Sequence, residues 1–561
     1  MIRIRGDRKE ARRSNALLMA LMIGEFLLFD RIGAHWHTGI YPRWNDQIQY
    51  LTEAYTGYEY LLGHGFWAGM WQTLLHPAAQ GTLDDCYAVL LFCLAGPSRS
   101  AALAVNMLAF LAWQGGFFFA IRRRSGSGSM AWASAGLLLC LAGPWSGSTG
   151  SATDFRLDHL AMCTMGVVTA AALMTEGFRR LGWSLAFGAT VALALCTRFL
   201  TGPYFVLIFA ALLAWAGSGP ERRRRATHLG FAAIVALVLA GPLVWLNRLS
   251  VYNYYWIGHF FGPESAIRNP HLNLTQSIAF VWGHFGADHL GSAFEVLALL
   301  ISLGLVAGAL ASTRRSRAAP SGPRAAWAGE AAMIGGIFLL APALILSLHN
   351  LKSPVVEGIM TPGIVLLLLG CWEALLGIIQ PRLSATAAKR LGAALGVLVL
   401  SGGAAYFVVR QLTPPHSPQF VADAHKVNSL ADGIFLRSRA AGITAPRVAV
   451  DEVTDCLDGQ VLRVICYERH RVWVPFVMTL PTGIGEESKS VLLDRLAQSD
   501  FVFITEGGPV GGWPYDREMR ALDPTTAAWC EAHLYPVDRF TLFGQSMVLF
   551  QRRDLPLPAR P

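Results

Sequence analysis

Stretches of about twenty mostly apolar residues recur through the first 411 positions of the chain, and they restrict its fold more than any other feature. A helix needs roughly 20 such residues to cross the hydrocarbon core of a bilayer. Only 15% of the residues are charged, whereas soluble domains carry roughly a quarter. The pattern predicts an α-helical polytopic membrane protein with about eleven transmembrane helices, near residues 16–33, 101–121, 130–147, 159–177, 182–200, 203–218, 228–247, 291–311, 328–348, 359–379 and 391–411.

Basic residues are distributed unevenly between the loops that join these predicted helices. With a cytoplasmic N-terminus, 22 of the 46 Lys and Arg residues lie in cytoplasmic segments, as the positive-inside rule expects. The loops predicted on the outer side carry only Arg43, Arg99, Arg156, Arg198, Arg248, Arg268 and Lys352. The net charge of +9 is therefore mainly a topological signal and does not indicate a nucleic-acid partner.

One short apolar run, Ala88–Gly96, tests this topology. Its nine residues are too few to span a bilayer, and a Gly-Pro turn signal follows them. Counting the run as a span would also place Arg122, Arg123 and Arg124 on the outer side, against the charge rule. We therefore expect an interfacial or re-entrant piece.

The last quarter of the chain differs in kind from the rest. An odd number of spans places it outside the cytoplasm, and we expect a small soluble extracytoplasmic α/β domain at 415–561, after a transmembrane domain at 1–412. We predict helices at 419–440 and 487–498 and strands at Arg447–Val453, Val461–Tyr467, Asp500–Thr505 and Ser546–Gln551. Cys456 and Cys466 flank a plausible hairpin at Asp458-Gly459 and are candidates for a disulfide, while Cys530 is left over.

The first outer loop, residues 34–100, is much longer than the other connections. Long loops without structure are uncommon unless they are functional. This one carries Trp44-Asn45-Asp46-Gln47 close to the first span, followed by many aromatic residues at helical spacing. We expect helices lying along the membrane interface.

The second outer loop places two aspartates before and inside an apolar helix. Thr153 or Asp154 could cap this helix, which is an ordinary structural role. Asp158 lies four residues after Asp154, and like charges at that spacing repel each other. The two therefore need a cation, an arginine such as Arg156, or a shifted pKa.

Arg198 interrupts an apolar sequence at the tight turn between two predicted spans. An arginine near a helix end commonly extends its charge to the interface, which requires no further role. A guanidinium also presents a planar fork that matches phosphate oxygens. Both interpretations are open at this point.

A third outer loop, from Val251 to His259, is rich in aromatic residues. Tyr254, Tyr255 and Trp256 are suited to stacking on sugar rings. They are equally typical of the aromatic belt found at membrane interfaces, and this simpler interpretation is slightly favoured.

Taken in order, these motifs resemble the GT-C superfamily of polytopic glycosyltransferases, most of all its bacterial aminoarabinose-transferase and protein-mannosyltransferase-like branch. Trp44-Asn45-Asp46-Gln47-Ile48-Gln49-Tyr50 is similar to the acidic and aromatic pattern of that family's first outer loop. The stretch 153–159 lies where the family has a second acidic motif, although it lacks an adjacent acidic pair. The stretch 196–203 resembles a Thr-Lys-Gly-Pro-like segment, with Arg198 in place of the lysine.

The resemblance implies an integral enzyme of the bacterial inner membrane. Such an enzyme moves a sugar from a polyprenyl-phosphate donor to a lipid, glycan or protein acceptor on the extracytoplasmic face. Asp46 would be the catalytic base of a direct displacement with inversion, and Arg198 and Lys352 would neutralise the departing phosphate. Asp154 or Asp158 would position the acceptor or hold a divalent cation, for which His159 and His259 are candidate ligands.

Two functions from other classes remain open on the sequence. A transporter or flippase for a lipid-linked sugar predicts charges that line a path inside the bundle, and usually repeated halves. Charges within the predicted spans are sparse, namely Glu25, Glu330 and Glu373, and no internal repeat is visible in the sequence. A membrane-anchored envelope assembly protein predicts that the outer domain carries the function, with Asp46, Asp158 and Arg198 dispensable.

Overall fold

The computed structural model describes residues 2–41, 46–145, 150–218, 220–262, 265, 269–296, 299, 323–379, 385–444, 446–451, 457–474, 476–478, 489–507 and 517–555. The chain divides into two compact units. The first unit contains Met1–His35, Gly57–Leu94 and Ser100–Thr413, and the second contains Trp36–Thr56, Ala95–Arg99 and Pro414–Pro561.

Helices make up most of the chain up to Thr413. They are α1 (Ile2–Leu28), α2 (Gln47–His64), α3 (Phe66–Leu75), α4 (Leu83–Ala95), α5 (Arg99–Ser125), α6 (Gly128–Leu139), α7 (Leu157–Met174), α8 (Leu181–Thr197), α9 (Thr201–Gly217), α10 (Arg222–Leu246), α11 (Arg248–Val251), α12 (Leu274–His284), α13 (Pro323–Leu348), α14 (Thr361–Ile379) and α15 (Ala385–Leu412). A π-helical segment, Tyr252–Phe261, follows α11 directly.

Within the described residues, six stretches are long and apolar enough to cross a membrane. They are Arg99–Ser125, Leu157–Met174, Arg222–Leu246, Trp327–Leu348, Pro354–Gly377 and Gly392–Leu412. Three shorter apolar helices, α6, α8 and α9, coincide with predicted spans as well. The polytopic helical architecture is therefore confirmed. The count of eleven stays a prediction, since most of the expected span 291–311 lies outside the described residues.

Small residues allow several of these helices to approach closely. A Cβ atom on Gly188 of α8 would lie 2.2 Å from the carbonyl oxygen of Ala232 on α10. A Cβ atom on Gly403 of α15 would lie 2.1 Å from the carbonyl oxygen of Gly136 on α6. Such contacts are characteristic of helix packing in lipid, where dispersion forces and close backbone approach replace the hydrophobic effect.

The helices expected in the first outer loop are present as α2, α3 and α4. The run Ala88–Gly96 falls mainly in α4, which has 13 residues and is shorter than a span needs. The position of α2, α3 and α4 relative to a membrane interface stays a prediction.

The second unit contains a five-stranded mixed sheet. Its strands are β1 (Val448–Val450), β2 (Phe476–Met478), β3 (Phe501–Thr505), β4 (Leu534–Leu542) and β5 (Gln545–Arg552), in the order β2-β1-β3-β5-β4. β1 pairs in parallel with β2 and β3, and β5 pairs antiparallel with β3 and β4. The helices of this unit after Thr413 are α16 (Pro418–Ala440), α17 (Gly459–His470), α18 (Lys489–Gln498) and α19 (Arg517–His533).

Most of the elements predicted for this unit are confirmed, and one prediction is wrong. Strands β1, β3 and β5 and helices α16 and α18 lie where we expected them. The predicted strand Val461–Tyr467 is instead part of α17. Asp458 caps that helix, because its side chain accepts a hydrogen bond from the Val461 backbone N–H at 2.7 Å. Asp458-Gly459 is thus a helix start and not a hairpin turn.

This correction also removes the hairpin on which the disulfide prediction depended. Cys466 is buried in α17, and Cys530 is buried in α19. Cys456 lies outside the described residues.

Candidate active site

Asp158 and Arg198 form a buried ion pair in the first unit. Asp158 is the second residue of α7, and Arg198 follows α8 directly. The Arg198 Nη1 atom lies 2.7 Å from Asp158 Oδ1, and the two side chains are only 12% and 7% exposed. Removing one partner of a buried ion pair leaves the other charge without compensation, which typically costs about 3–5 kcal/mol. Each residue therefore supplies the opposite charge that the other requires.

Local hydrogen bonds fix the turn that carries Arg198. The backbone N–H of Arg198 donates to the Ala194 carbonyl at 3.0 Å, which closes the last turn of α8. The Thr201 hydroxyl donates to the Arg198 carbonyl at 2.8 Å, as α9 begins. With only three residues between two apolar helices, the turn leaves the guanidinium little freedom.

A second loop, residues 77–82, packs against this turn. The Phe199 N–H donates to the Gln80 carbonyl at 2.8 Å, and the Thr82 N–H donates to the Cys196 carbonyl at 3.2 Å. A Cβ atom on Gly81 would lie 1.9 Å from the Thr197 carbonyl oxygen. Glycine at this position is therefore what allows the two backbones to meet.

This loop leads into α4, whose first turn carries two aspartates that sequence reasoning missed. Asp84 and Asp85 are 2% and 5% exposed. Two adjacent acidic residues at the start of an apolar run were the available signal, since carboxylates are favoured at helix N-termini.

Asp154 has a different partner from Asp158. Its carboxylate lies 2.7 Å from Arg156 Nε, and its backbone carbonyl accepts a hydrogen bond from Asn106 Nδ2 at 2.8 Å. The expected need for an arginine such as Arg156 is thus met for Asp154. Asp154 does not have the capping role that we expected, because the N-cap residue of α7 is Arg156. Asp154 precedes the helix and does not share a helical face with Asp158.

The aromatic residues predicted after Val251 surround His259 in the π-helical segment. The His259 ring centroid lies 4.8 Å from that of Tyr254, 5.4 Å from that of Tyr255 and 5.3 Å from that of His349. The pKa of Tyr255 is raised to about 12, mainly by burial. The Arg198 cation opposes this rise, and the Asp158 carboxylate adds to it. The Tyr255 hydroxyl is thus neutral at physiological pH, in the electrostatic field of the ion pair. Trp256 is half exposed.

The remaining first-unit candidates have structural contacts. His159 is fully buried, with Nε2 3.4 Å from the Cys163 Sγ atom one turn along α7. The Lys352 ammonium donates to the carbonyls of Leu346, Ser347 and His349 and so caps the C-terminus of α13. Across the part of the chain that is described, no three His, Cys, Asp or Glu side chains are grouped as a metal site would require.

Asp46 belongs to the second unit. It is exposed and stands immediately before α2, whose first hydrogen bonds run from the Gln49 and Tyr50 N–H groups to the Asp46 carbonyl at 2.9 and 3.2 Å. Buried side chains Gln47, Ile48, Leu51 and Tyr55 follow on one face of the helix and anchor it. Trp44 lies outside the described residues.

Solved structures with a similar fold are known. The chain superposes on ArnT from Cupriavidus metallidurans in the apo state with a TM-score of 0.57 and 16% identity, covering 96% of this chain and 98% of that one. The same protein bound to undecaprenyl phosphate gives 0.54 and 16% identity, over 95% and 97% of the two chains. The oligosaccharyltransferase AglB from Archaeoglobus fulgidus, in complex with an inhibitory peptide and a dolichol-phosphate, gives 0.48 and 9% identity, over 87% and 69%. No protein-family model and no curated protein sequence matches the chain. The chain thus shares the fold of ArnT over nearly the whole length of both chains.

Proposed function

From a fold shared with ArnT over nearly the whole length of both chains, we propose that this protein is an integral membrane glycosyltransferase of the GT-C type. It transfers a hexose or pentose from a polyprenyl-phosphate donor to an acceptor on the extracytoplasmic face. The full-length structural likeness carries the proposal, and the ArnT structure with undecaprenyl phosphate supports the class of donor. The composition and the apolar helices support a location in the membrane.

The proposal includes the topology inferred from charge. Eleven spans with a cytoplasmic N-terminus put the end of α8, the start of α9 and residues 415–561 on the outer side of the bacterial inner membrane. The donor is then cleaved away from the cytoplasm, and the bond between sugar and phosphate is the energy source.

In the first unit, the Asp158–Arg198 pair provides a rigid cation for the donor phosphate. The salt bridge holds the guanidinium through Nη1, and an arginine carries five N–H donors arranged as a fork. A phosphate that develops negative charge as it leaves is stabilised by such a fixed cation. Lys352 would join Arg198 only after releasing one of the carbonyls of α13 that it caps.

The proposed chemical step is a single displacement. Asp46 accepts the proton of the acceptor hydroxyl or amine, while that oxygen or nitrogen bonds to the anomeric carbon. The bond from that carbon to the phosphate oxygen breaks, and the polyprenyl phosphate leaves with the electron pair. Attack from the face opposite the phosphate inverts the anomeric configuration. A positioned general base contributes typically 10²- to 10⁴-fold to the rate.

The other candidates have supporting roles in this proposal. Asp154 or Asp158 positions the acceptor, and Trp44, Tyr254, Tyr255 and Trp256 contact the sugar. A divalent cation held by these aspartates with His159 or His259 does not fit the described arrangement, because each carboxylate already pairs with an arginine. No step is routed through a metal.

The Asp46→Asn substitution tests the proposal. Purified protein is mixed with a panel of undecaprenyl-phosphate sugars and with an extract of envelope lipids and glycans that supplies the acceptor, and release of undecaprenyl phosphate is followed in detergent. We expect Asp46→Asn to lower kcat about 10²- to 10⁴-fold with the protein still folded, because the amide cannot accept the proton. Glu53→Gln, on the helix α2 that Asp46 precedes, is the matched control and should keep the activity.

A second test of the proposal measures envelope lipids and glycans in cells. Deletion of the gene should remove a sugar from an envelope lipid or glycan, as seen by mass spectrometry, and the wild-type chain but not Asp46→Asn should restore it. Full transfer by a normally inserted Asp46→Asn protein would reject Asp46 as the base. Loss of a transported lipid without any loss of transfer would favour a flippase.

A further inference from the structure

Arg99 is a fully buried cation that bridges both ends of the segment carrying Asp46. It is the first residue of α5, belongs to the second unit and is 2% exposed. Its Nη1 atom donates to the backbone carbonyls of His37 and Ile40, which precede Asp46. Its Nη2 atom donates to the Gln47 Oε1 atom at 2.8 Å, immediately after Asp46.

Through these contacts Arg99 joins His37 and Ile40 to Gln47, and we call this arrangement the clasp. A guanidinium suits this task because its rigid fork presents several donors in one plane, whereas a lysine ammonium is a point charge with flexible donors. A buried cation without acceptors would be costly, and the two carbonyls and the amide oxygen provide them. Gln47, the residue after Asp46, is thus held to His37 and Ile40 by one side chain.

Helix α17 supports this clasp from the same unit. The Arg99 guanidinium lies 4.7 Å from the centre of the Tyr41 ring, in a cation–π contact. The Tyr41 hydroxyl donates to one carboxylate oxygen of Glu468, and the Tyr55 hydroxyl donates to the other at 2.5 Å. Tyr55 also packs on Tyr467, with ring centroids 4.8 Å apart. Glu468 therefore holds Tyr41 before Asp46 and Tyr55 after it.

We propose that Arg99 is a positioning residue that acts through Asp46, and that residues 414–561 take part in catalysis by supporting this clasp with Glu468. The inference rests on the proposed function, since it takes Asp46 as the base. It assigns the C-terminal part of the chain a role in the geometry of the reaction, beyond binding an acceptor or anchoring a partner.

A double-mutant cycle separates positioning from simple structural support. Arg99→Lys keeps the charge and loses the fork, so we expect kcat to fall about 10- to 100-fold, the scale of a misplacement of roughly 1 Å. The donor KM should change by less than about threefold, because phosphate binding is left intact. In the Asp46→Asn background, Arg99→Lys should change the residual rate by less than about twofold.

Hydrogen exchange of the full-length protein supplies a readout that does not depend on activity. Arg99→Lys, and the milder Tyr41→Phe, should speed exchange in peptides covering residues 37–47 and leave peptides of β3 unchanged. Tyr41→Phe keeps the ring and removes only the hydroxyl bonded to Glu468, so it serves if Arg99→Lys fails to fold. Arg469→Lys is the control: it lies on α17, pairs in a fork with Asp432 and should leave kcat and exchange of 37–47 unchanged.

The outcomes distinguish the two proposals. If Asp46→Asn keeps full activity, the base assignment fails whatever Arg99 does. If Asp46→Asn is inactive but Arg99→Lys and Tyr41→Phe leave both kcat and exchange unchanged, the positioning role is rejected. Rate losses that multiply fully in the double variant, or exchange that rises equally in β3, would reduce Arg99 to a general stabilising residue and also overturn the inference.

Discussion

At the scale of single residues, the central feature is that charged side chains are buried in a low-dielectric environment, where each needs a partner. The sequence indicated that Asp154 and Asp158 need a cation, an arginine such as Arg156, or a shifted pKa, because like charges at that spacing repel each other. It did not show that the partner of Asp158 is Arg198, 40 positions away, since no local pattern encodes that pairing. Asp84 and Asp85 are visible in the sequence as an acidic pair before an apolar run, but their burial is not.

Asp451 provides a prediction about pH. It is 4% exposed at the end of β1, and its Oδ2 atom accepts hydrogen bonds from the Thr505 N–H and hydroxyl, both at 2.9 Å. Burial raises the pKa of Asp451 to about 7, and the Thr505 hydrogen bonds lower it only in part. The ordinary pKa of an aspartate is about 3.9.

The direction in which stability changes with pH follows from the protons that Asp451 binds in the folded and unfolded chains. Between about pH 4 and 7 the folded chain keeps a proton that the unfolded chain has released, so stability falls as the pH rises and levels off above about 7. Over roughly three pH units this amounts to about 4 kcal/mol. The thermal midpoint of the purified protein should therefore drop between pH 5 and 8, and Asp451→Asn should flatten that drop.

Asp432 provides a control, because its effect on the pH dependence of stability has the opposite sign to that of Asp451. Hydrogen bonds from Arg469 and His470 lower the pKa of Asp432, so its contribution is present above the ordinary value and is lost in acid. Asp432→Asn should change the acid side of the profile and leave the drop above pH 5 in place. A wild-type midpoint that is constant from pH 5 to 8 would contradict the assignment for Asp451.

At the scale of elements, the sequence predicted those whose signal is local. The apolar length of the spans and the Ser417 cap before α16 are properties of consecutive residues. Helix α17 was misassigned because Val461, Val464 and Ile465 favour strands by type, whereas the Asp458 side chain caps a helix start. The close approach of loop 77–82 to the Arg198 turn could not be predicted, since it depends on which helices become neighbours.

Gly81 allows that approach to be tested. Gly81→Ala places a methyl group against the Thr197 carbonyl, a backbone atom that cannot rotate away, so the loop must shift. Overpacking of this kind costs about 1–3 kcal/mol. We expect a lower thermal midpoint and a donor KM raised several-fold, because the turn presenting Arg198 moves with the loop.

The matched control is Gly63→Ala on α2, where an added Cβ meets nothing within 4 Å. It should leave both the midpoint and KM unchanged. An unchanged donor KM in a destabilised Gly81→Ala protein would separate the loop from phosphate binding and weaken the case for Arg198.

At the scale of the whole molecule, the sequence predicted the class of fold through composition and the order of short motifs. What it could not predict is the division into units: residues 36–56 and 95–99 belong with the C-terminal part and not with the helices that surround them in sequence. The contacts responsible are specific side-chain pairs across hundreds of residues, such as Tyr41 with Glu468, and these leave no periodic signal.

The proposed topology predicts protease access. A protease site inserted after Gly126, between α5 and α6, should be cut only after cells are permeabilised, because the adjacent Arg122–Arg124 cluster is retained in the cytoplasm. A site inserted after Pro415 should be cut in intact spheroplasts. An uninserted chain controls for cleavage elsewhere. Cleavage after Gly126 in intact spheroplasts would show that Ala88–Gly96 crosses the membrane and that the span count is wrong.

The clasp around Asp46 also sets an order of events during synthesis. Tyr41 and Glu468 are 427 residues apart, and at ribosomal rates of 5–20 residues per second the second appears on the order of 20 to 85 s after the first. For most of that interval the nascent chain already carries Asp46 and Arg99 but lacks the carboxylate of Glu468. If Asp46 is the base, a chain that has not yet reached Glu468 would therefore transfer sugar more slowly than the finished chain.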